Sequence, residues 1–467
     1  IERRVDEICS MLVPSPALRN IGHIITMPPH PIPAAESFIV KSNILKRGFL
    51  SLLVTQFFGA VNDNILKQVL IFMVSTGVWK NQMGSSGEAW VAMLFTIPFI
   101  VFSGYAGQFA DRNSKQWVAV LLKVLELPIA VIAMVGFWTH HLWITVASLF
   151  VLGVHSAFFG PAKYGMIPEL VDEGDLSRAN GTINMFTNIA VIVGTLIAGP
   201  ISDWYFPTQP GAGGAIPASK PWIPGMVMLI VAALGLLAAL ALPRLVPRDP
   251  NLKYQANPLS TYIKAIREMS TSPLLMVAIA WSYFYMLAST ALLILTHYKD
   301  LLGIDYTANS YLLGAMGVAI GTGCFVAGVI SGHRIETRLI PVGALGMFVM
   351  FTLLGAIAPV KGSGASYWSV MAMLVVAGVF AGFYIVPLQA LLQKLSPADE
   401  RGRFLGTANA MSFLAFMLGA VVAWAATGVG GLPHNRVFLV VAALSLVGTA
   451  FLIWRMRRKL RPADVNA

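Results

Sequence analysis

The sequence predicts an all-α membrane protein with about twelve transmembrane helices, and two observations lead to this fold class. Hydrophobic residues make up 57% of the 467-residue chain, charged residues only 11%, and the mean hydropathy is +0.72. No soluble domain of this length needs so much apolar surface. In addition, about twelve apolar runs of roughly 20 residues, each long enough to cross a bilayer, lie between positions 48 and 455. Runs of this length favour helices over a membrane β-barrel.

The net charge of +11 does not indicate a nucleic-acid binder, because the basic residues are not clustered in one soluble region. They are concentrated in alternate loops, for example at Arg112, Arg267 and Arg401, whereas the intervening loops offer few, such as Lys80 and Lys299. Cytoplasmic loops of membrane proteins carry an excess of Lys and Arg. Both termini and the long central loop are therefore predicted to be cytoplasmic.

An internal repeat organises the chain into two halves. When the sequence is shifted by about 225 residues, three glycine-containing segments align with one another. The matched pairs are Gly153 and Gly378, Gly181 and Gly406, and Gly107 and Gly332. We therefore predict two pseudo-symmetric six-helix bundles, related by an axis along the membrane normal. The predicted segments are an N-terminal cytoplasmic tail (1–45), an N-terminal bundle (46–243), a cytoplasmic linker (244–272), a C-terminal bundle (273–456) and a basic C-terminal tail (457–467).

A short motif follows the second predicted span. The segment GQFADRNSK (107–115) resembles the major facilitator signature G-x3-D-R-x-G-R/K, with Ser114 in place of the second glycine. Together with the repeat, it predicts the major facilitator fold. A carboxylate and an arginine at a helix end can pair with charges or helix termini and hold one conformation shut, whereas the plainer interpretation is a solvated turn. The predicted latch residues are Gly107, Asp111, Arg112, Glu169 and Arg178.

The first span contains polar residues that the bilayer disfavours. Asp63, Asn64 and Lys67 lie within an otherwise apolar segment. A carboxylate near the bilayer centre costs about 2.5–3.5 kcal/mol on insertion scales, so it indicates a functional site that faces a cavity. Lys67 follows Asp63 by one helical turn, so the two charges can neutralise each other.

Four segments resemble the bacterial lysophospholipid transporter family, a branch of the major facilitator superfamily, over nearly all of residues 45–460. They are FFGAVNDN (57–64), GPAKYGMIPEL (160–170), ANG (179–181) and GFYIVPLQALLQ (382–393). The resemblance implies a transporter and not an enzyme. It implies that lysophospholipids are flipped across the bacterial inner membrane and delivered to a cytoplasmic acyltransferase. It also implies that Lys123 and Lys163 occupy basic positions of the family.

The chain departs from the family in the seventh span. Relatives carry an arginine there, whereas Ser289 to Leu292 provide no charge. Lys67 and Glu126 instead appear where those relatives are apolar or small, so they either replace the missing arginine or indicate a different substrate.

The predicted substrate-binding residues have simpler alternatives. Lys123 and Lys163 can extend to the cytoplasmic interface, and Glu126 can pair with Lys123. Asn184 and Asn188 can instead hold helices together through hydrogen bonds, without lining a cavity. The complete predicted set is Asp63, Asn64, Lys67, Lys123, Lys163, Tyr164, Asn184 and Asn188.

These features predict a secondary transporter that works by alternating access, with a monomer sufficient for function. Neither a cofactor nor a metal is predicted, although Asp63 is a candidate site for a coupling Na⁺ or proton. No Walker A motif is present in the sequence, so ATP is not the direct energy source. The alternative function is a facilitator-type exporter of drugs or amphiphilic metabolites driven by an ion gradient. A membrane-embedded acyltransferase is disfavoured, because the adjacent His140 and His141 have no acid close in sequence.

Overall fold

The computed structural model describes residues 47–80, 82–84, 87–172, 176–210, 214–247, 250–251, 260–331, 335–396 and 401–459. All of these residues belong to one compact unit that runs from Ile44 to Ala467. The predicted N-terminal tail and most of the predicted C-terminal tail lie outside the described residues.

Six long helices precede the central linker. They are α1 (Arg47–Ser75), α2 (Gly87–Arg112), α3 (Lys115–Trp138), α4 (Leu142–Leu170), α5 (Leu176–Tyr205) and α6 (Ile223–Leu240). Two short helices, α7 (Ser260–Met269) and α9 (Tyr298–Leu302), lie on either side of α8 (Leu274–Thr296). The remaining helices are α10 (Tyr306–Ser331), α11 (Leu339–Ala356), α12 (Gly364–Leu395), α13 (Arg401–Trp424) and α14 (Val437–Lys459).

Twelve helices in the described part of the chain are long and apolar enough to cross a membrane. The described residues include no β-sheet, so the predicted all-α membrane fold is confirmed. The predicted linker contains one element that the sequence analysis did not anticipate, the amphipathic helix α7. Its residues Ala265 and Met269 are buried, and Tyr262 forms a hydrogen bond with Ser103 of α2. Helix α7 thus packs against α8 and α13 and also reaches α2 through Tyr262.

Serine caps help to define where two of the spans begin. Ser114, which replaces the second glycine of the signature, precedes α3, and its hydroxyl accepts a hydrogen bond from the backbone N–H of Trp117. Ser363 does the same for α12 by accepting from Ser366 at 3.3 Å. A hydroxyl at this position satisfies a backbone donor that has no partner within the helix. The change from glycine to serine therefore has a local structural explanation.

Glycines let α10 and α12 approach until their backbones touch. A Cβ atom added to Gly323 would lie 2.2 Å from the carbonyl oxygen of Val379, and one added to Gly382 would lie 2.3 Å from the backbone nitrogen of Cys324. Small residues at helix crossings are typical of membrane proteins, because close packing is a main source of attraction between helices in lipid.

The two groups of helices meet closely at one end only. We call the end that carries the α2–α3 turn and the predicted linker the linker end, and the opposite end the distal end. From the distal end to mid-membrane, α5 packs against α10, where a Cβ added to Gly199 would lie 2.5 Å from Ser310 and one added to Gly314 would lie 2.4 Å from Leu196. Phe99 of α2 stacks on Phe413 of α13 with ring centroids 5.0 Å apart.

Towards the linker end this close packing is lost. A Cβ added to Gly321 or Gly328 of α10 would meet no atom within 4 Å, and the same holds for Gly107 of α2 and Gly406 of α13. Phe325, between the two α10 glycines, is 73% exposed. The halves are therefore closed at the distal end and separated at the linker end.

The α10–α12 contact generates a stability prediction. Gly382→Ala should lower the thermal unfolding midpoint of the detergent-solubilised protein, because the added methyl overpacks a backbone contact at a cost of about 1–3 kcal/mol. Gly328→Ala is the matched control on α10, where the methyl meets open space and helix propensity improves by about 0.8–1.0 kcal/mol. Equal midpoints for the two variants would contradict the close crossing.

Candidate functional site

The carboxylate of Asp63 lies near the middle of α1 and faces α4. The hydroxyl of Ser156 is 2.9 Å from Oδ1 and 2.7 Å from Oδ2 of Asp63, so one donor is shared between both carboxylate oxygens. Asp63 is half-buried. A carboxylate offers about four acceptor positions, and a single hydroxyl fills only one of them. The remaining acceptor capacity can receive a cation or a further donor.

Lys67 lies one turn beyond Asp63 but does not pair with it. Its ammonium donates to Oδ1 of Asn64 at 2.7 Å and lies 5.5 Å from the centroid of the Phe95 ring. Asn64 in turn donates to the backbone carbonyl of Ala60 at 2.7 Å. Among the described residues no carboxylate lies within ion-pair distance of Lys67. The two charges of α1 therefore form no direct ion pair in this conformation, although each acts on the other electrostatically.

A second basic group lies on α4, seven residues from Ser156 and hence on the same helix face. Lys163 is 7% exposed, and its ammonium lies 4.4 Å from the ring centroid of Tyr164. Between Ser156 and Lys163, Gly160 would meet no atom within 4 Å if it carried a Cβ. A rise of 1.5 Å per residue separates Ser156 and Lys163 by about 10 Å along α4. Along this face of α4, the Asp63 carboxylate held at Ser156 is followed by the open space at Gly160 and then by the ammonium of Lys163.

Tyr164 connects this face to α5. Its hydroxyl donates to Oδ1 of Asn184 at 3.1 Å, and both side chains are exposed towards the linker end. Asn188, one turn further along α5, is also exposed. The structure therefore brings Tyr164 and Asn184 beside Lys163, as an open polar rim.

Lys123 is in a different environment from the other predicted ligands. It is 1% exposed and donates to Oε2 of Glu126 at 2.6 Å, while Asn62 donates to Oε1 of Glu126 at 2.7 Å. His155 adds a longer contact, with Nε2 at 3.9 Å from Oε2 of Glu126. A Cβ at Gly59 would lie 2.4 Å from the Lys123 ammonium, so a side chain at this position would require the end of Lys123 to shift. Lys123 is thus enclosed within the N-terminal helices with its charge compensated.

The motif residues at the linker end also form a contact within the N-terminal helices. Lys115, at the start of α3, is 4% exposed and bonds to the carboxylate of Glu169 near the end of α4. Asp111 and Arg112 end α2, while the side chain of Arg178 lies outside the described residues. The structure therefore pairs Glu169 with Lys115, the basic residue that closes the motif, and the latch role of the whole set stays a prediction.

Charge is distributed unequally between the two groups of helices. The charged residues in span interiors are Asp63, Lys67, Lys123, Glu126 and Lys163, on α1, α3 and α4. Helices α8, α10 and α11 contain no Asp, Glu, Lys or Arg, and in α12, α13 and α14 such residues occur only near the helix ends. At the seventh span, Thr290 of α8 donates to the carbonyl of Gly419 of α13 at 2.9 Å, so a packed helix crossing lies within the uncharged stretch from Ser289 to Leu292.

Ser156 is the site residue that the sequence analysis missed. Its position in the segment GVHSAFFGPAKYG, one heptad before Lys163, places both residues on one helix face, and this spacing was the available signal. No cluster of His, Cys, Asp or Glu that could hold a metal occurs in the described part of the chain. A groove of about 460 Å³ lies between α11 and α14, away from all these charged groups.

Twelve apolar helices in two groups, with span-interior charges on the N-terminal group, are the arrangement of a multi-pass membrane transporter. The sequence pattern of the Major Facilitator Superfamily matches residues 52–420 and 338–466, and the chain belongs to this superfamily. The predicted major facilitator fold and superfamily are thereby confirmed.

Curated relatives carry a more specific name. The chain is 26% identical over 440 residues to the lysophospholipid transporter LplT of Salmonella arizonae, covering 91% of this chain and 100% of the relative. It is 25% identical over 387 residues to LplT of Yersinia enterocolitica, covering 81% of this chain and 85% of the relative. The predicted resemblance to lysophospholipid transporters is therefore confirmed.

Solved transporter structures share the fold at low sequence identity. A bacterial homolog of the human lysosomal transporter Spinster, inward-facing and unoccupied, superimposes with a TM-score of 0.62 at 14% identity, covering 91% of this chain and 99% of that chain. A POT family transporter in complex with 5-aminolevulinic acid gives a TM-score of 0.66 at 13% identity, covering 89% and 97%. At these identities the similarity establishes the fold alone.

The enclosed Lys123–Glu126 pair generates a second prediction. Glu126→Gln should destabilise the protein by about 3–5 kcal/mol, because Lys123 is left as a buried charge without a counterion. The double variant Lys123→Met/Glu126→Gln should regain most of the thermal unfolding midpoint, since the Gln can still accept from Asn62. A double variant as unstable as the single one would contradict the pairing. A stable double variant without transport would instead make Lys123 a substrate ligand.

Proposed function

We propose that the protein is a secondary transporter that flips lysophospholipids across the bacterial inner membrane by alternating access. The observation that carries this proposal is the unequal charge of the two groups of helices. Span-interior charges lie on α1, α3 and α4, while α8, α10 and α11 have none. A lysophospholipid has a charged headgroup and one acyl chain, so one molecule matches both surfaces. A small polar solute would match only one.

The headgroup is assigned to the charged face of α4 and α1. Asp63 keeps free acceptor capacity beside Ser156, and Lys163 presents an ammonium about 10 Å away along the helix. A carboxylate attracts the cationic part of a headgroup, and an ammonium attracts its phosphate. Asn64, Lys67, Tyr164, Asn184 and Asn188 then supply neutral and basic contacts around these two charges.

The acyl chain is assigned to the separated part of the α5–α10 seam. Ile189 and Met185 on α5 are 42% and 52% exposed, opposite the open stretch of α10 that contains Phe325. Lipid and a single acyl chain are equally apolar, so the tail can remain between the helices, partly in the bilayer, while the headgroup moves. The transporter therefore does not need a cavity that encloses the whole substrate.

The direction of lipid transport and its energy source are assigned from the same arrangement of helices. The distal end is closed and the linker end open, and rocking of the halves would exchange these two states around a fixed headgroup site. The linker end and both termini are assigned to the cytoplasm, where an acyltransferase would use the delivered lipid. Asp63 is the candidate site for a driving Na⁺ or proton. One chain supplies both groups of helices, so a monomer suffices.

The substitution Asp63→Asn tests this proposal. It keeps the size of the side chain and an acceptor for Ser156 but removes the charge, so transbilayer movement of fluorescent lysophosphatidylethanolamine in proteoliposomes should fall about tenfold or more. Glu336→Gln, which changes a partly exposed acid near the linker end, is the matched control and should move lipid at the unmodified rate. Arms with and without a Na⁺ gradient, and with and without a pH gradient, identify the driving ion.

Two results would contradict the proposal. Folded, unmodified protein that moves lysophospholipid no faster than empty liposomes would favour the exporter of drugs or amphiphilic metabolites. Full activity in Asp63→Asn would remove the carboxylate from the mechanism. Lys163→Gln should also slow the movement, and Lys163→Arg should restore part of it, because phosphate recognition needs a cation at this position.

A further inference from the structure

Two histidines and a glutamate join the two groups of helices at the distal end. Glu88 lies in the first turn of α2, His297 directly follows α8, and His434 precedes α14. His297 Nε2 is 3.0 Å from Oε1 of Glu88, and both residues are buried. The rings of His297 and His434 are stacked with centroids 3.8 Å apart and planes 29° apart. The transport scheme above assigns no role to these side chains.

The same region contains other contacts across the two groups of helices. Lys80, after α1, pairs with Asp300 of α9 at 3.0 Å. Asp203, at the end of α5, accepts hydrogen bonds from the backbone N–H groups of Tyr306 and Thr307 at 2.9 and 2.8 Å and so caps α10. These contacts must break when the distal end opens. The distal end is therefore held closed by ion pairs and hydrogen bonds of titratable side chains.

The charged and titratable groups that act on His434 are His297, Glu88, Lys80 and Asp300. Lys299, adjacent to Asp300, is directed to the ring of Tyr306, with its ammonium 4.5 Å from the ring centroid. Glu88 is the carboxylate in contact with the histidine pair, and Asp300 is already paired with Lys80. The immediate surroundings of the two rings thus contain one negative charge for two potential positive charges.

This balance makes the closed end sensitive to the number of bound protons. A single proton on His297 strengthens the contact with Glu88, because the hydrogen bond then joins opposite charges. A second proton on His434 would put two like charges at a centroid separation of 3.8 Å in a partly buried site, where screening by water is weak. The stacked arrangement accommodates one proton and disfavours two.

We propose that Glu88, His297 and His434 form a proton-binding site that opens the distal end when both histidines are protonated. The proposal rests on the alternating-access part of the proposed function but is independent of the substrate. It is also separate from Asp63, which lies at mid-membrane. Acidity on the distal side, which is predicted to be periplasmic, would add the second proton and so populate the open state.

The distance between the two groups of helices at the distal end measures this opening. Spin labels on Ala218→Cys and Ala365→Cys, two exposed distal positions in opposite halves, are introduced in a Cys9→Ser/Cys324→Ser background and measured in proteoliposomes at pH 7.5 and pH 5. We expect one short distance at pH 7.5 and a shift of a substantial fraction to a longer distance at pH 5. His434→Gln should keep the short distance at both pH values, since the amide does not take up the second proton.

His141→Gln is the matched control, because it removes an exposed histidine at the same end and should behave as the parent. Glu88→Gln gives an independent readout, with the longer distance already populated at pH 7.5. Equal distance distributions for the parent at both pH values, or an unchanged shift in His434→Gln, would overturn the proposal. Since no lipid is required, a failure of lysophospholipid transport would leave this result standing.

Discussion

A carboxylate at mid-membrane is costly unless it is paired, and the pairing of Asp63 by protein groups is incomplete. Ser156 gives one hydrogen atom to two carboxylate oxygens, so acceptor capacity remains on the side that faces open space. Glu126 shows the opposite arrangement, because Lys123 and Asn62 both donate to it in a sealed interior. Asp63 on α1 thus keeps acceptor capacity for a further donor, whereas both oxygens of Glu126 on α3 are occupied by donors from the protein.

The fold is nearly symmetric, but its charge is not. Gly153 and Gly378 occupy equivalent places in the internal repeat, and each lies in a close helix crossing, against Phe95 and Met316 respectively. Backbone packing therefore follows the repeat. Span-interior charge is confined to one half, so the repeat determines the architecture and the departures from it determine the surface offered to a substrate.

The sequence predicted the twelve spans and the superfamily well, because apolar length and backbone approach through glycine are local properties of the chain. It predicted less about which charges meet. Lys67 lies one turn from Asp63, yet its ammonium bonds to Asn64. Lys123 is buried against Gly59 of another helix, and no helical spacing reveals such a contact.

The linker and the distal end were also harder to anticipate. Helix α7 is a short amphipathic segment in a region read as a connection, and its Tyr262 reaches Ser103 of α2. The stacked histidines come from positions 297 and 434, which the fold alone brings together. Contacts between distant segments depend on how the helices pack, and that information is spread over the whole chain.

The central claim is that the headgroup lies against the charged helices while the acyl chain lies against the uncharged ones. The most direct measurement is photocrosslinking in membranes with lysophosphatidylethanolamine that carries a diazirine in its acyl chain, followed by mass spectrometry of the adducts. The account predicts adducts on α10 between Gly321 and Gly328 and on the facing residues of α5. Adducts concentrated around Asp63 and Lys163, with none on α10, would contradict it.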